Sequence, residues 1–125
     1  MKTPLLSLFF ALLVAVAPAL ASPPADTLAK VTETGRFVIG FREDTRPFSY
    51  RDSDGNPAGY SVDLCRRIAT VVKEASGRDE IDIEYVPVVA DHRTAAVRSG
   101  EIDVMCGAVT DTLERRAEVD FTLHI

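Results

Sequence analysis

The sequence contains few residues that can hold a metal ion or carry nucleophilic catalysis. It has two histidines and two cysteines, and no cysteine lies in a CxxC or CxxH spacing, so we expect no metal site. Neither His92 nor His124 has a serine or cysteine nucleophile at a motif spacing, and neither a nucleophile elbow nor a phosphate loop is present. These absences predict a protein without a cofactor that is not an enzyme.

Positive charge is also scarce. The chain carries 14 lysines and arginines against 19 acidic residues, a net charge of −5, which argues against nucleic acid as a partner because phosphate binding needs a basic face. Hydrophobic residues make up 46% of the 125 residues, enough to build the core of one small domain. Because basic residues are few, each arginine is considered individually as a candidate binding residue.

The first 21 residues have the pattern of a secretory signal peptide. Lys2 gives a positive start, residues 5–17 are apolar except for Ser7, and the small residues of Ala19-Leu20-Ala21 form an A-x-A cleavage site. The alternative is a membrane anchor, but the apolar run is too short to span a bilayer comfortably. We expect cleavage after Ala21 and export to the periplasm.

The remainder divides into a leader with a short helix (22–35) and a region of alternating strands and helices (36–125). This alternation predicts an α/β fold with a parallel-type sheet flanked by helices. Ser61, Asp91 and Asp111 are the expected helix caps. The predicted strands are residues 37–41, 81–88 and 102–106, a further strand beginning at Val119, and a hairpin around Asp54-Gly55. The predicted helix after Ser61 has an apolar face made of Leu64, Cys65, Ile68, Val71, Val72 and Ala75.

Arginines follow successive predicted strands. Arg42 follows the first, Arg93 the second, and Thr110 with Arg115 the third. Ligands gather at the carboxyl ends of parallel strands, and the guanidinium group is always charged and can bind a carboxylate through two hydrogen bonds. We therefore predict an anion site at this edge of the sheet, which we call the rim. Seven further arginines are expected to be solvated surface residues, namely Arg36, Arg51, Arg66, Arg67, Arg78, Arg98 and Arg116.

The two cysteines lie on elements that are expected to pack together. Cys65 is on the inner face of the long helix and Cys106 ends a central strand. In an oxidising compartment the pair can form a disulfide. The alternative is two buried free thiols that act as small apolar residues, and the sequence does not choose between them.

Two long stretches resemble a known family. "GRFVIGFREDTRPFSYRDSDGNPAGYSVDLC" and "VRSGEIDVMCGAVTDTLERRAEVDFT" are similar to the first lobe of type II periplasmic solute-binding proteins, in particular the polar amino-acid binders of the glutamate/aspartate group. The resemblance covers about residues 27–122. It implies two α/β lobes that close over an amino acid, so we expect residues 36–125 to be part of the first lobe, with the second beyond Ile125.

The resemblance also implies roles for individual residues. Arg115 and the backbone N–H of Thr110 hold the ligand's α-carboxylate, while the carbonyl of Ala108 and the hydroxyl of Thr110 hold its ammonium group. Phe48 packs on the ligand. In the relatives that bind acidic amino acids, residues matching Arg42 and Arg93 hold the side-chain carboxylate.

The function implied is binding of an amino acid, glutamate or aspartate, by a monomeric component of an ABC importer whose permease lies in the inner membrane. Two alternatives remain open. One is a periplasmic enzyme on the same fold, such as a dehydratase or a cell-wall lyase, which needs a general acid or base in the cleft; the candidates are Glu43, Asp91 and His92. The other is the ligand-binding lobe of a sensor or ligand-gated channel, with a membrane segment downstream.

Overall fold

The computed structural model of the protein describes residues 26–122, so the expected signal peptide lies outside the described residues. Within this range the structure has four helices and six strands. They are α1 (Thr27–Thr34), β1 (Arg36–Phe41), β2 (Asp44–Thr45), β3 (Ser49–Arg51), β4 (Pro57–Ala58), α2 (Tyr60–Ala75), β5 (Asp82–Pro87), α3 (Arg93–Ser99), β6 (Val104–Cys106) and α4 (Leu113–Arg116).

The central sheet has the order β5-β1-β6, with both pairings parallel. The apolar run of β1 occupies the middle position, where both edges are hydrogen-bonded. The chain crosses from β1 to β5 through α2 and returns past β1 to β6 through α3. The predicted α/β fold with a parallel sheet is confirmed, and its order reverses at β1.

Side chains of β1 alternate between two cores, as the period of a strand requires. Phe37 and Ile39 face the helices α1 and α2. Val38 faces the opposite side, where it packs with Ala96 of α3 and with Ile102. The sheet is therefore covered by helices on both faces, which explains why β1 is apolar at every position from 37 to 41.

A second, antiparallel sheet has the order β2-β3-β4 and forms an excursion between β1 and α2. Arg51 pairs with Pro57, so the loop between β3 and β4 contains Asp54-Gly55 and the predicted hairpin is confirmed. The N–H groups that begin α2 are bound by this excursion. Tyr60 N donates to the carbonyl of Pro47 at 3.1 Å and Ser61 N donates to that of Phe48 at 2.8 Å.

The predicted helix caps are wrong in detail. Helix α2 begins one residue before Ser61, after Gly59, with no side-chain cap, because the carbonyls of Pro47 and Phe48 already satisfy its first N–H groups. Helix α3 begins after His92 rather than at Asp91. In α4 the cap is Thr112, whose hydroxyl accepts from Arg115 N at 3.3 Å, instead of Asp111.

Two further expectations are corrected. Val71 was predicted to face the core but is 62% exposed, because the buried stripe of α2 runs through Val62, Cys65 and Ala69. Residues 119–122, the last that the structure describes, form no strand. Within the described range, no helix is long and apolar enough to cross a membrane.

Candidate functional site

The candidate site lies where β1 and β6 end, at the point where the order of the sheet reverses. Phe41 is the last residue of β1 and pairs with Cys106, the last residue of β6. The chain continues from these two strand ends as Arg42 and Gly107, so both segments start from the same edge. Crevices at such switch points are the usual ligand sites of open parallel sheets.

Arg42 is held on this edge by its neighbours. Its Nε and Nη2 donate to Asp44 Oδ1 at 3.2 and 2.7 Å. The aliphatic stem lies against Gly107, where a Cβ atom would come within 3.2 Å of the Arg42 Cγ. The side chain is only 14% exposed, and its Nη1 is buried with no hydrogen-bond partner among residues 26–122. One end of the fork is therefore satisfied and the other carries unused donors.

The three arginines predicted for the rim are brought together. Burial lowers the pKa of Arg93, and the positive charges of Arg115 and Arg42 lower that pKa further, while the charge of Asp91 acts in the opposite direction. Arg93 is the first residue of α3 and is partly buried. Arg42 and Arg115 therefore lie near Arg93, and Gly107, which contacts the Arg42 stem, lines the same open groove as Arg93. Such a cluster is poised to bind an anion.

Arg115 lies beside the residues that the resemblance assigns to the ligand backbone. Its Nη1 donates to the carbonyl of Thr110 at 2.6 Å. Its own N–H is held by the side chain of Thr112, the N-cap of α4. The guanidinium group is thus fixed next to the segment 107–110, whose residues Ala108 and Thr110 are exposed to solvent.

Phe48 and Ala108 line one open groove of about 330 Å³ between α2 and the end of β6. Phe48 is 43% exposed, and its position depends on close contact with the turn before α2. Gly59 has φ 116°, and a Cβ there would meet the Phe48 carbonyl oxygen at 2.5 Å, so only glycine fits. The groove provides an apolar wall beside the arginine cluster.

A disulfide borders the same groove. Cys65 of α2 and Cys106 of β6 are bridged, with their Cα atoms 6.3 Å apart, and both line the groove. The structure therefore selects the bridge over two free thiols. The bond ties the strand end that carries Gly107 and Ala108 to the long helix.

The alternative catalytic residues are less suitable. Glu43 forms an ion pair with Arg51, and His92 pairs with Glu101 at 2.7 Å. Asp91 is exposed and acts on the charge of Arg93. The seven arginines expected on the surface are all exposed, namely Arg36, Arg51, Arg66, Arg67, Arg78, Arg98 and Arg116.

Three residues of the site were assigned no role from sequence. Asp44 holds the Arg42 guanidinium, Gly107 leaves room for its stem, and Ser49 holds its main chain through two hydrogen bonds. Ser49 belongs to the "PFSY" stretch of the resemblance, but nothing in the sequence indicates that its hydroxyl turns toward Arg42. Only the three-dimensional arrangement of β1 and β3 reveals it.

Comparisons with known proteins identify the family of the chain. Residues 37–125 match the family described as bacterial extracellular solute-binding proteins, family 3. The L-glutamate/L-aspartate-binding protein of Pseudomonas aeruginosa is 36% identical over 110 residues, which are 87% of this chain and 36% of that protein. The glutamine-binding protein GlnH of Bacillus subtilis is 34% identical over 98 residues, 78% of this chain and 34% of that protein.

A solved structure has the same fold. The ancestral amino acid-binding protein AncCDT-1, a precursor of cyclohexadienyl dehydratase, superposes with a TM-score of 0.66 at 30% identity, over 78% of this chain and 40% of that one. The chain thus spans about a third of the length of the curated relatives that it matches. With the family's sequence pattern matched from residue 37 onward, the chain belongs to family 3 of the bacterial extracellular solute-binding proteins.

Proposed function

We propose that the protein binds an acidic amino acid, glutamate or aspartate, as the substrate-binding component of an ABC importer in the periplasm. The observation that carries the proposal is the cluster of Arg42, Arg93 and Arg115 at one rim. Gly107 contacts the Arg42 stem and lines the same groove as Arg93, and the charges of Arg42 and Arg115 lower the pKa of Arg93. A dicarboxylic amino acid brings two negative charges to such a cluster, and a neutral one brings a single carboxylate.

The two carboxylates are assigned to different arginines. Arg115, fixed beside Thr110, binds the α-carboxylate together with the Thr110 N–H. The carbonyl of Ala108 and the hydroxyl of Thr110 bind the ammonium group, and Phe48 packs on the aliphatic part. Arg42 and Arg93 bind the side-chain carboxylate; the guanidinium group of Arg42 is only partly engaged within the described residues, since its Nη1 has no hydrogen-bond partner there.

The relatives support binding of an amino acid, but their names do not agree on which amino acid it is. One is named as a glutamate/aspartate binder and another as a glutamine binder. The difference between these ligands is one carboxylate against one amide. The arginine cluster favours the carboxylate, since an amide offers no charge to offset the repulsion among three guanidinium groups.

An enzymatic role is not favoured. The name of one structural neighbour links an amino-acid binder to a dehydratase, but in this chain Glu43 is paired with Arg51 and His92 is hydrogen-bonded to Glu101. A general acid or base must reach the bound ligand, and these side chains are committed elsewhere. We propose a monomer that delivers its ligand to an inner-membrane permease.

Single substitutions test the assignment in protein expressed from the complete reading frame. Arg42→Ala and Arg93→Ala should each weaken glutamate binding by about two orders of magnitude or more, because a desolvated carboxylate left without its partner costs about 3–5 kcal/mol. Glutamine binding should change little in both. Arg115→Ala should weaken both ligands alike, since every amino acid has an α-carboxylate.

The control is Arg98→Ala, which removes an exposed arginine paired with Glu118 and should leave both affinities unchanged. Calorimetric titration with glutamate, in competition with glutamine, measures all four variants. Unchanged glutamate binding in Arg42→Ala and Arg93→Ala contradicts the acidic ligand. A loss limited to Arg115→Ala would leave a general amino-acid site.

A further inference from the structure

Arg42 follows the last residue of β1, so the strand pairings of the central sheet do not provide hydrogen-bond partners for its main chain. The pairings of β1 with β5 and with β6 both end at Phe41, so the next N–H and C=O lie beyond both ladders. One hydroxyl satisfies both groups. Ser49 Oγ accepts from Arg42 N at 2.8 Å and donates to Arg42 O at 3.0 Å.

Ser49 is itself buried and is held in place by its strand pairing. Its exposed fraction is 0%, and it lies in β3, where it pairs with Thr45. Its carbonyl oxygen accepts a further hydrogen bond from Thr45 Oγ1 at 2.8 Å. A buried hydroxyl with both functions used costs free energy when either bond is lost, so this contact gives the Arg42 backbone one orientation.

The orientation matters because the guanidinium group has little freedom of its own. Asp44 holds Nε and Nη2, and Gly107 leaves only enough room for the stem. The remaining donor group, Nη1, is buried and lacks a partner within the described residues. Its direction is therefore set by where the main chain of Arg42 is held.

We propose that Ser49 is a positioning residue that sets selectivity for acidic ligands through Arg42. The inference rests on the proposed function, in which Arg42 binds the side-chain carboxylate. Ser49 does not touch the ligand; by holding the main chain of Arg42 it sets the position of the guanidinium group on the rim. A carboxylate–guanidinium pair is sensitive to geometry, whereas the α-carboxylate site at Arg115 is built by α4 and Thr110 and does not involve β3.

The test compares glutamate and glutamine affinities in protein expressed from the complete reading frame. Ser49→Ala should weaken glutamate by about tenfold, corresponding to the loss of about one well-placed hydrogen bond, and glutamine by less than about twofold. If Ser49→Ala does not fold, Ser49→Cys takes its place, because a thiol of similar shape hydrogen-bonds only weakly. Ser49→Thr retains the hydroxyl and should restore the preference for glutamate.

The matched control is Ser76→Ala. Ser76 is the other buried serine of the described region, and its hydroxyl donates to the carbonyl of Lys73 at 2.8 Å beyond the end of α2. This substitution should lower stability while the ratio of the two affinities stays at the wild-type value.

Equal losses for glutamate and glutamine in the Ser49 variants, or no loss in either, would overturn the role of Ser49. A wild-type protein that binds glutamate no better than glutamine gives a different result, because it refutes the acidic ligand itself. The wild-type ratio is measured first, so failure of the proposed function is distinguished from failure of the positioning role.

Discussion

The carboxylate of Asp103 joins three parts of the fold through one side chain. It is 4% exposed and accepts from Lys30 Nζ of α1 at 2.5 and 2.6 Å and from Val38 N of β1 at 2.7 Å. The backbone N–H of Asp103 in turn donates to Val38 O at 2.8 Å. The sequence analysis gives Asp103 no role beyond its place in the predicted strand 102–106; its buried contacts explain why an acid stands just before β6.

Asp103→Asn should therefore destabilise the protein strongly. The amide keeps the shape of the side chain but removes the charge that compensates Lys30, and breaking a buried pair costs about 3–5 kcal/mol. Lys30 is 30% exposed and regains some hydration, so we expect about 2–3 kcal/mol. Urea unfolding followed by circular dichroism measures the change.

Glu84→Gln is the control for Asp103→Asn, because Glu84 pairs with Arg36 at an exposed position where both side chains are about half solvated. Its cost should stay below about 1 kcal/mol. Equal effects in the two variants would mean that the burial of Asp103 contributes nothing.

At the scale of elements, the disulfide connects α2 to the strand end that carries the site. Cys65 and Cys106 are separated by 41 positions, and closing a loop of this length stabilises the fold by about 4 kcal/mol in the chain-entropy model. The double substitution Cys65→Ala, Cys106→Ala should lower the free energy of unfolding by about this amount. Denaturant titration with and without dithiothreitol measures it.

Dithiothreitol should lower the unfolding midpoint of the wild type and leave that of the double variant unchanged. The disulfide is buried, so reduction is expected only as the protein opens, and samples must be equilibrated in reductant before titration. A wild-type midpoint that does not respond after equilibration would contradict a stabilising bridge.

The sequence predicts elements better than it predicts how they begin. Strand β1 follows from an uninterrupted apolar run, and the parallel order follows from alternating strands and helices. The start of α2 could not be predicted from the sequence. Serine is a favourable N-cap residue, so Ser61 is the expected cap, but the carbonyls of Pro47 and Phe48 accept the hydrogen bonds of the first N–H groups of the helix. A cap supplied by a distant loop leaves no local signal.

The sequence likewise predicts some residues of the candidate site and not others. The positions of Arg42, Arg93 and Arg115 could be predicted, since each follows a strand and parallel strands bring their carboxyl ends to one edge. Asp44 and Ser49 could not, because their roles depend on how β2 and β3 fold back over the end of β1. Arginines carry a recognisable charge, whereas the residues that hold them are recognised only by contact.

Across these 125 residues, the charge is unevenly placed. Their net charge of −5 provides no long-range attraction for an anionic ligand, while three arginines are gathered at one rim, where the charges of Arg42 and Arg115 lower the pKa of Arg93. Attraction must therefore be local, and it acts over a range comparable with the Debye length, which is about 8 Å at physiological ionic strength and about 3 Å at 1 M.

This distribution predicts how salt affects the two ligands. If Arg42 and Arg93 bind the side-chain carboxylate as proposed, raising sodium chloride from low millimolar to molar concentration should weaken glutamate binding by about tenfold or more, and glutamine by clearly less, because glutamine lacks this second charge. Arg42→Ala should reduce the salt dependence for glutamate toward that for glutamine, whereas Arg98→Ala, far along α3 and paired with Glu118, should leave it unchanged. Titrations at several salt concentrations give the slopes directly. Parallel slopes for glutamate and glutamine in the wild type would mean that the side-chain carboxylate is not bound by charge, and the division of labour among the three arginines would then be wrong.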